Sequence, residues 1–381
     1  MILSEDQEQF QRATREFVQR AILPHSAEWE EARGFPREVL SEIGRMGLFS
    51  VTVPPEWGGI GADYVSFALT QMEIAAGDGA LSTLVGGQNS VICMPLVTYG
   101  TDEQRERYVK KVASGEMLGA FALTEPHCGS DASDLKTVAI RTSNGWRIDG
   151  VKQFITSASI ADFVIVFAKT DSLAGQRGIS AFVLPTSTPG FRVTRVEKKM
   201  GQNASDTCDV VFDGVEVGDD ALVGDVGQGY KVALSNLEGG RIGTASHCVG
   251  MARAALEIAI AYAKERVTFG KPIAQHQAVA LRLGEMATMV TAAEQVVLHA
   301  AALKTAGRFC LTEASMAKLF ASEVAERVAS EAIQTLGGNG YMTDYHVERI
   351  YRAARGAKIY EGTNDIQKLV ISRALTGLSA F

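Results

Sequence analysis

Cysteine is scarce in this sequence of 381 residues, and its spacing excludes two structural classes. Five cysteines occur, an odd number, and no two of them form a CxxC pair. A disulfide framework or a zinc ribbon needs paired cysteines at regular spacing, so neither is predicted, and we expect a reducing cytoplasmic location. The five are Cys93, Cys128, Cys208, Cys248 and Cys310.

The sequence also lacks three further features: a targeting signal, a membrane span and a basic net charge. The chain starts Met-Ile-Leu-Ser-Glu-Asp-Gln-Glu, which is acidic and has no apolar signal-peptide core, so no signal or transit peptide is expected. No uninterrupted apolar run approaches the roughly eighteen residues of a membrane helix, so no membrane association is predicted. The formal net charge of −7 argues against a nucleic-acid partner.

Motifs of several common enzyme classes are absent as well. Gly227-Gln-Gly229 and Gly338-Asn-Gly340 come nearest to a dinucleotide fingerprint, and neither completes it. Gly270-Lys271 lacks the upstream glycine of a phosphate loop, and no GxSxG nucleophile elbow occurs. The six histidines show no metal-ligand spacing with Cys, Asp or Glu, so no metal site is predicted.

What is present divides into three regions, which we predict to be domains. Residues 1–119 carry helical patterns such as Gln7–Ile22, whereas residues 120–228 carry short apolar runs separated by turn dipeptides such as Asn144-Gly145. No helix-length pattern interrupts those runs, so an antiparallel, barrel-like sheet is predicted. Residues 229–381 return to long helical patterns that favour a four-helix bundle, and the fold class is therefore α+β, mostly α. The four patterns are Tyr230–Val267, Gln275–Ala306, Leu311–Leu336 and Tyr345–Tyr360.

Two segments of the middle region offer groups that could hold a flat heterocycle. Phe121–Asp131 places the hydroxyls of Thr124 and Ser130 beside a turn, and Gly150–Ser157 carries an aromatic next to a hydroxyl on a strand. Each also has a purely structural interpretation. The first segment could be a domain-boundary turn, and the aromatic of the second could belong to the core.

Two segments of the helical region carry charges of functional interest. Arg266, in the helix break Glu265–Ile273, could meet phosphates, although the helix dipole also favours a basic residue there. In Arg352–Asp365 a helix is predicted to end at Glu361, with Thr363 capping the next helix. The dipole disfavours a carboxylate at that end, which suits a base whose pKa an apolar pocket raises. Surface glutamates at helix ends are also common.

Together, the order and spacing of these segments resemble the acyl-CoA dehydrogenase family over nearly the whole chain. Dispersed motifs in the family order make the resemblance specific. Besides the four segments above, it includes Val53–Gly59, Gly201–Thr207, Gly239–Gly243, Gln334–Tyr341 and Ile366–Arg373.

The resemblance implies FAD bound between the sheet domain and the helical bundle. In the sheet domain, the implied flavin contacts are Phe121, Leu123, Thr124, Ser130, Phe154, Ile155 and Thr156. In the helical domain, they are Gln334, Gly337, Gly338, Thr363 and Asp365. The residues implied to reach the FAD of a neighbouring subunit are Arg266, Thr268, Phe269 and Gln277. Those implied to touch acyl-CoA are Ser130, Arg241 and Gly362.

The mechanism that the resemblance implies begins with Glu361 removing the pro-R α-proton of an acyl-CoA thioester, while the β-hydrogen leaves as hydride to flavin N5. The backbone N–H of the base residue and a ribityl hydroxyl would stabilise the enolate oxygen, each donor contributing ~3–4 kcal/mol. Some family branches place the base in the motif Gly239–Gly243, where this sequence has Gly240. Glu238 lies nearby but not at the matching position, so Glu361 keeps the role.

The resemblance also implies partners and a substrate class. Electrons would pass to electron transfer flavoprotein, and the assembly would be a homotetramer, a dimer of dimers. Glutaryl-type relatives place an Arg near the stretch that matches Leu81–Leu84, but no Lys or Arg occurs here between Met46 and Gln104. An uncharged short- to medium-chain acyl group, straight or modestly branched, is therefore expected.

Two other functions are compatible with the resemblance, and the sequence differs from the family pattern at three positions. An acyl-CoA oxidase is one rival, although oxidase chains are usually much longer. A catalytically silent FAD-binding relative is the other, and the retained Glu361 argues against it. Many relatives have Trp where Phe154 stands, Arg where Asn203 stands, and Asp where Ala353 stands.

Overall fold

The N-terminal third of the described residues, 1–380 of the computed structural model, is helical. Helix α1 begins with a capping box between Ser4 and Gln7, and α4 begins where the Asp63 side chain accepts a hydrogen bond from the Ser66 amide. Helix α4 is buried almost throughout, which explains its nearly continuous apolar sequence. The helices are α1 Glu5–Ala21, α2 Ser26–Ala32, α3 Arg37–Arg45, α4 Tyr64–Gly77, α5 Gly79–Gly87, α6 Met94–Tyr99, α7 Asp102–Gln104 and α8 Lys110–Ala113.

The middle region is an eight-stranded sheet in the order β6-β7-β3-β2-β4-β5-β8, with β1 paired to β4. Most pairs are antiparallel, but β1 and, through one residue pair, β2 run parallel to β4, pairings that the turn signals did not reveal. Because β4 is buried on both faces, its sequence is continuously apolar rather than alternating. The strands are β1 Gly119–Ala122, β2 Val138–Thr142, β3 Gly145–Thr156, β4 Phe163–Lys169, β5 Ile179–Pro185, β6 Phe191–Val196, β7 Thr207–Val217 and β8 Leu222–Val223.

The C-terminal region packs three long helices, α10 to α12, with α13 and α14 against α12. Small residues allow close approach: a Cβ on Gly250 of α10 would lie 2.1 Å from the backbone oxygen of Met72 in α4. The chain reverses between α10 and α11 through a two-stranded hairpin, β9 and β10. The elements are α9 Gly229–Leu234, α10 Leu237–Glu265, β9 Val267–Thr268, β10 Lys271–Pro272, α11 Gln277–Thr305, α12 Leu311–Leu336, α13 Val347–Gly356 and α14 Asn364–Thr376.

The predicted helix Tyr345–Tyr360 is shorter in the structure. Helix α13 ends at Gly356, so Glu361 follows it in an irregular segment instead of terminating it. The prediction that a helix ends at Glu361 was wrong, and the dipole argument attached to it fails as well.

Two helical stretches have the length and apolar composition that a membrane span also requires, namely Gly79–Tyr99 and Gln277–Thr305. In the first, 67% of the most apolar window is buried inside the protein, as in a core helix. In the second the share is 39%, because α11 packs by one face only. Length and composition alone are weak evidence for a membrane helix, and the absence of membrane association stays a prediction.

Candidate active site

The carboxylate of Glu361 lies half-buried between the C-terminal helices. Its residue adopts a left-handed backbone conformation, φ 56°, with Gly362 after it at φ 84°. These conformations turn the chain sharply between α13 and α14, and Thr363 then caps α14 by accepting a hydrogen bond from the Ile366 amide at 3.3 Å, as predicted. The turn, rather than a helix end, aims the carboxylate at α10.

Helix α10 leaves space for this carboxylate. A Cβ built on Gly240 would lie 3.0 Å from Glu361 Oε2, so the residue that faces the carboxylate is one without a side chain. No side chain within residues 1–380 makes a hydrogen bond or ion pair with the Glu361 carboxylate. An unpaired acid in this position is free to accept a proton from a bound molecule.

Burial raises the pKa of Glu361, and the charges of Arg241 and Lys318 oppose that rise. Arg241 is itself buried and donates from Nη1 to Ser315 Oγ at 2.9 Å, while its Nε has no partner in the described residues. Burial lowers the pKa of Lys318 to about 8. The carboxylate is therefore a stronger base than a solvated one, yet two cations keep its charged form accessible.

Lys318 was not foreseen from the sequence, and it anchors the turn after the base. From α12 its Nζ donates to the Gly362 oxygen at 2.8 Å and to Asn364 Oδ1 at 3.0 Å. Gln367 adds a second anchor, since Nε2 donates to the same Gly362 oxygen at 2.9 Å. The sequence did carry a signal for Lys318: it occupies an apolar position of the predicted helix Leu311–Leu336. A charged side chain buried there needs a partner.

The alternative acid, Glu238, is engaged elsewhere. Its Oε2 lies 2.6 Å from Lys304 Nζ, and its Oε1 accepts a hydrogen bond from the Cys310 amide at 2.9 Å. The side chain thus joins the end of α11 to the start of α12. It has a structural role and does not compete with Glu361.

A buried polar network lies behind the base segment. The Tyr360 hydroxyl is 3.1 Å from His247 Nε2 and 3.1 Å from Gln202 Nε2, and Gln202 Oε1 accepts from Thr83 Oγ1 at 2.9 Å. Burial lowers the pKa of His247 to about 4, so this histidine is neutral near pH 7. The network fixes Tyr360, the residue before Glu361, without adding a charge.

Several predicted flavin residues of the sheet domain come together where the loop after β1 meets the end of β3. Leu123 and Thr124 follow β1, and Phe154 and Ile155 lie near the end of β3 beside them, where the Gln153 amide donates to the Thr124 oxygen at 2.9 Å. Phe154 has φ 59° and is 58% exposed, whereas Ile155 is buried. An exposed aromatic ring held on a strand is suited to covering a flat ligand.

The remaining predicted flavin residues of the sheet domain lie on β1, in the loop after it and at the end of β3. Phe121 is half-buried and packs against Phe167 with ring centroids 4.8 Å apart. Ser130 is exposed in the loop after β1, and Thr156 is half-buried where β3 pairs with β7. Asp365, predicted as a flavin contact of the helical domain, is exposed in the first turn of α14.

The other predicted cofactor residues lie at the far end of the bundle. Gly240 and Arg266 are at opposite ends of α10, about 40 Å apart at about 1.5 Å per residue. At the Arg266 end, Asn339 Nδ2 donates to Tyr262 OH at 2.9 Å, so the end of α12 is there too. The residues collected at this end are Arg266, Thr268, Phe269, Gln277, Gln334, Gly337 and Gly338. Within one chain they form a cluster separate from Glu361.

Glu125, His127 and Cys128 place possible metal ligands within 4.8 Å of one another. Glu125, however, already pairs with Lys152 Nζ at 2.7 Å and accepts hydrogen bonds from the amides of Lys136 and Thr137. The carboxylate is occupied by these donors, which argues against a cation at this place.

One of the three departures from the family pattern has a visible consequence. Asn203 donates from Nδ2 to Glu30 Oε1 at 2.8 Å, and its amide donates to Glu30 Oε2 at 2.7 Å. Glu30 also forms an ion pair with Arg352 at 2.9 Å. Glu30 therefore links the loop that contains Asn203 to α13. Ala353 is buried beside the Gln202 amide, and nothing in the structure explains that substitution.

A three-domain fold that holds an unpaired, half-buried carboxylate suits an enzyme that uses a carboxylate base, and the sheet-domain residues suit a flat bound cofactor. The particular family follows from similarity to known proteins. Models of the N-terminal, middle and C-terminal domains of acyl-CoA dehydrogenase match residues 4–116, 120–215 and 227–376. The chain belongs to the acyl-CoA dehydrogenase family and is an oxidoreductase.

Full-length relatives and solved structures agree with this assignment. An acyl-CoA dehydrogenase of Bacillus subtilis (strain 168) is 44% identical, over 99% of this chain and all of the relative. Butyryl-CoA dehydrogenase from Megasphaera elsdenii has a TM-score of 0.96 and 37% identity, covering 98% of this chain and 99% of that one. A chain from work on the electron transferring flavoprotein of Acidaminococcus fermentans and flavin-based electron bifurcation has a TM-score of 0.97 and 39% identity, covering 99% of both.

Enzymes of this family depend on FAD, and the residues present here fit that cofactor. The exposed Phe154 ring and the hydroxyls of Thr124 and Thr156 suit a flat heterocycle with a polar rim. At the other end of the bundle, a Cβ on Gly337 or Gly338 would meet nothing within 4 Å, so this backbone is open to a ligand. When bound, FAD supplies a two-electron acceptor for hydride.

Proposed function

We propose that the protein converts an uncharged short- to medium-chain acyl-CoA, straight or modestly branched, to the trans-2-enoyl-CoA, with Glu361 as the base. The observation that carries the proposal is the unpaired, half-buried Glu361 carboxylate facing Gly240. In this reaction the C–H bond at the α carbon breaks and its proton passes to Glu361. The β-hydrogen would leave with its electron pair as hydride, for which bound FAD would be the two-electron acceptor, and a double bond would form between the two carbons.

The backbone around the base supports stabilisation of the developing enolate. The Glu361 N–H donates to no acceptor within residues 1–380, so it is available to the thioester oxygen. Arg241 and Lys318 add positive charge to the same region. A donor held in place before reaction contributes ~3–4 kcal/mol to such a step.

The polar groups of α5 support an uncharged acyl group. Ser82 is buried and donates to Gln71 Oε1 at 2.8 Å, and Thr83 donates to Gln202, so both hydroxyls are already used. Residues 47–103 contain no Lys or Arg, and the nearby His247 is neutral. A distal carboxylate would be buried there without a cation from residues 47–103, and within residues 1–380 Gln71 Nε2 is the one unpaired donor beside Ser82, so its burial would cost several kcal/mol.

The substrate class is tested by anaerobic titration of the purified holoenzyme with butyryl-, isobutyryl-, octanoyl- and glutaryl-CoA while the flavin absorbance is followed. We expect bleaching by at least one uncharged thioester and at least 100-fold lower kcat/KM for glutaryl-CoA, which corresponds to about 2.7 kcal/mol. Preferred turnover of glutaryl-CoA would contradict the proposed substrate class.

We also propose electron transfer flavoprotein as the electron acceptor and a cytoplasmic homotetramer, a dimer of dimers, as the working assembly. The similarity to a chain studied with an electron transferring flavoprotein supports the acceptor. Exposed apolar side chains at the bundle surface support self-association, with Phe269 96%, Phe309 83% and Leu281 63% exposed. Oxygen uptake as fast as reduction of the flavoprotein would favour an oxidase instead.

A further inference from the structure

A lysine and a glutamate form a fully buried ion pair within the sheet domain. Lys152 Nζ lies 2.7 Å from Glu125 Oε1, and the two side chains are 0% and 2% exposed. Burial lowers the pKa of Lys152 to about 8, and Glu125 counteracts that effect. Buried ion pairs can often be replaced by apolar residues without loss of stability, so the burial of this pair is not by itself evidence that folding requires it.

The pair joins two segments that approach the exposed Phe154 ring. Lys152 Nζ also donates to the Leu123 oxygen at 3.0 Å, and the next residue, Gln153, donates its amide to the Thr124 oxygen. One ammonium group therefore holds the loop after β1 against β3. Both segments carry residues predicted to contact the flavin.

Lys152 also lies at the start of an irregularity in β3. It is in register with Val210 of β7, and the register has shifted when Ile155 pairs with Cys208. Within that bulge Phe154 has φ 59° and turns outward. Bulges commonly redirect a side chain near a functional site, and this one is anchored on its N-terminal side by the buried ammonium group.

Glu125 is held just as firmly on the loop side. Its Oε2 accepts from the Lys136 amide at 2.6 Å, and its Oε1 accepts from the Thr137 amide at 3.0 Å. The carboxylate therefore fixes the stretch before β2 and, through Lys152, the strand that carries Phe154. The three segments cannot shift separately while the pair is intact.

We propose that Lys152 and Glu125 are positioning residues that set the spacing between the Leu123–Thr124 loop and the Phe154 bulge, and thereby the binding and the electronic environment of FAD. The inference rests on the FAD dependence of the family and not on the acyl group that the enzyme prefers. Neither side chain needs to touch the cofactor or the substrate.

The test compares holoenzymes of the wild type and of the double variant Lys152→Met/Glu125→Gln. The glutamine oxygen can still accept a hydrogen bond from one of the two backbone amides, those of Lys136 and Thr137, and no buried charge is left unpaired. Flavin release on dilution, the visible spectrum of the bound flavin and its midpoint potential are measured, together with the melting temperature. The control is Arg253→Met/Glu73→Gln, which removes a pair of 2.7 Å between half-buried Arg253 of α10 and buried Glu73 of α4; Glu73 also pairs with Arg15 of α1.

We expect the Lys152→Met/Glu125→Gln holoenzyme to be folded, to release FAD at least tenfold more readily and to show a shifted flavin spectrum and potential. The control should lose thermal stability while its flavin spectrum and potential stay at the wild-type values. The single variant Lys152→Arg keeps the positive charge and should bind FAD more tightly than the double variant does. Wild-type FAD affinity, spectrum and potential in the double variant would overturn the proposal. So would failure of that variant to fold, because the pair would then be a requirement of the core.

Discussion

The segment around Glu361 and the hairpin that follows Arg266 were predicted from motifs of similar kind, yet the two regions differ in the folded chain. The Glu361 turn is enclosed by α10, α12 and α14, and its carbonyls accept hydrogen bonds from Lys318 and Gln367. The hairpin projects outward, with Phe269 at φ 50° and 96% exposed. One subunit completes the first region but leaves the second without a ligand or a partner surface.

The difference indicates what each region needs. A base must be held rigidly before substrate arrives, because misplaced acid–base groups lose most of their catalytic effect. Within residues 1–380 of its own chain, Phe269 is supported only by an edge-on contact with His276, with ring centroids 6.0 Å apart. The exposed face of the hairpin is therefore expected to pack against another subunit, whereas the base segment is held by contacts within its own chain.

The largest expected effect comes from Glu361→Gln, which tests the enclosed region. Flavin reduction by substrate should fall on the order of 10³-fold or more, because the α-proton loses its acceptor. Burial raises the pKa of Glu361, so its charge destabilises the folded state increasingly above pH 4.5, and the variant should be at least as stable near pH 7. Stopped-flow bleaching and thermal melting check both points, and near wild-type bleaching would identify another residue as the base.

Arg266→Ala tests the exposed region. If Arg266 meets the pyrophosphate of a neighbouring subunit's FAD, losing that contact should weaken FAD binding roughly 10- to 100-fold, for a charge-assisted contact of ~1.5–3 kcal/mol. The melting temperature should fall and recover partly with excess FAD. Lys264→Ala, an exposed change in the last turn of the same helix, serves as the control. Sedimentation would contradict the shared site if the wild-type holoenzyme were a monomer with tightly bound FAD.

Lys318→Met should shift the acid limb of the kcat/KM profile. The Lys318 charge holds down the pKa that burial raises for Glu361, so removing it should raise that pKa further. Since the base works only when deprotonated, activity should be lost at a higher pH than in the wild type. A pH profile with an unmoved acid limb would show that Lys318 only anchors the turn.

The smallest expected effect is that of Gly240→Ala. The added Cβ would lie 3.0 Å from Glu361 Oε2, which a flexible carboxylate can relieve by moving a few tenths of an ångström. We expect kcat to fall about two- to tenfold, while the melting temperature stays equal or rises because alanine favours the helix. Unchanged kcat would indicate that the carboxylate does not need its position beside α10.

Much of the fold could be predicted from local patterns. The periodicity of Leu311–Leu336 predicts a helix with the same bounds as α12, and the turn dipeptides predict the strands of the middle region. Helix ends and the parallel β1–β4 pair were missed, because they depend on contacts between distant segments. Local propensity does not report such contacts.

By itself, the sequence determined the family, the three-region organisation and the identity of Glu361 as the candidate base, since these depend on residue types in a fixed order. Only the tertiary structure decided why that acid is reactive. Its pKa depends on burial and on two cations from other helices, Arg241 and Lys318, and both effects depend on distance in space rather than along the chain. The ion pair of Lys152 and Glu125 likewise exists only because β3 folds against the loop after β1.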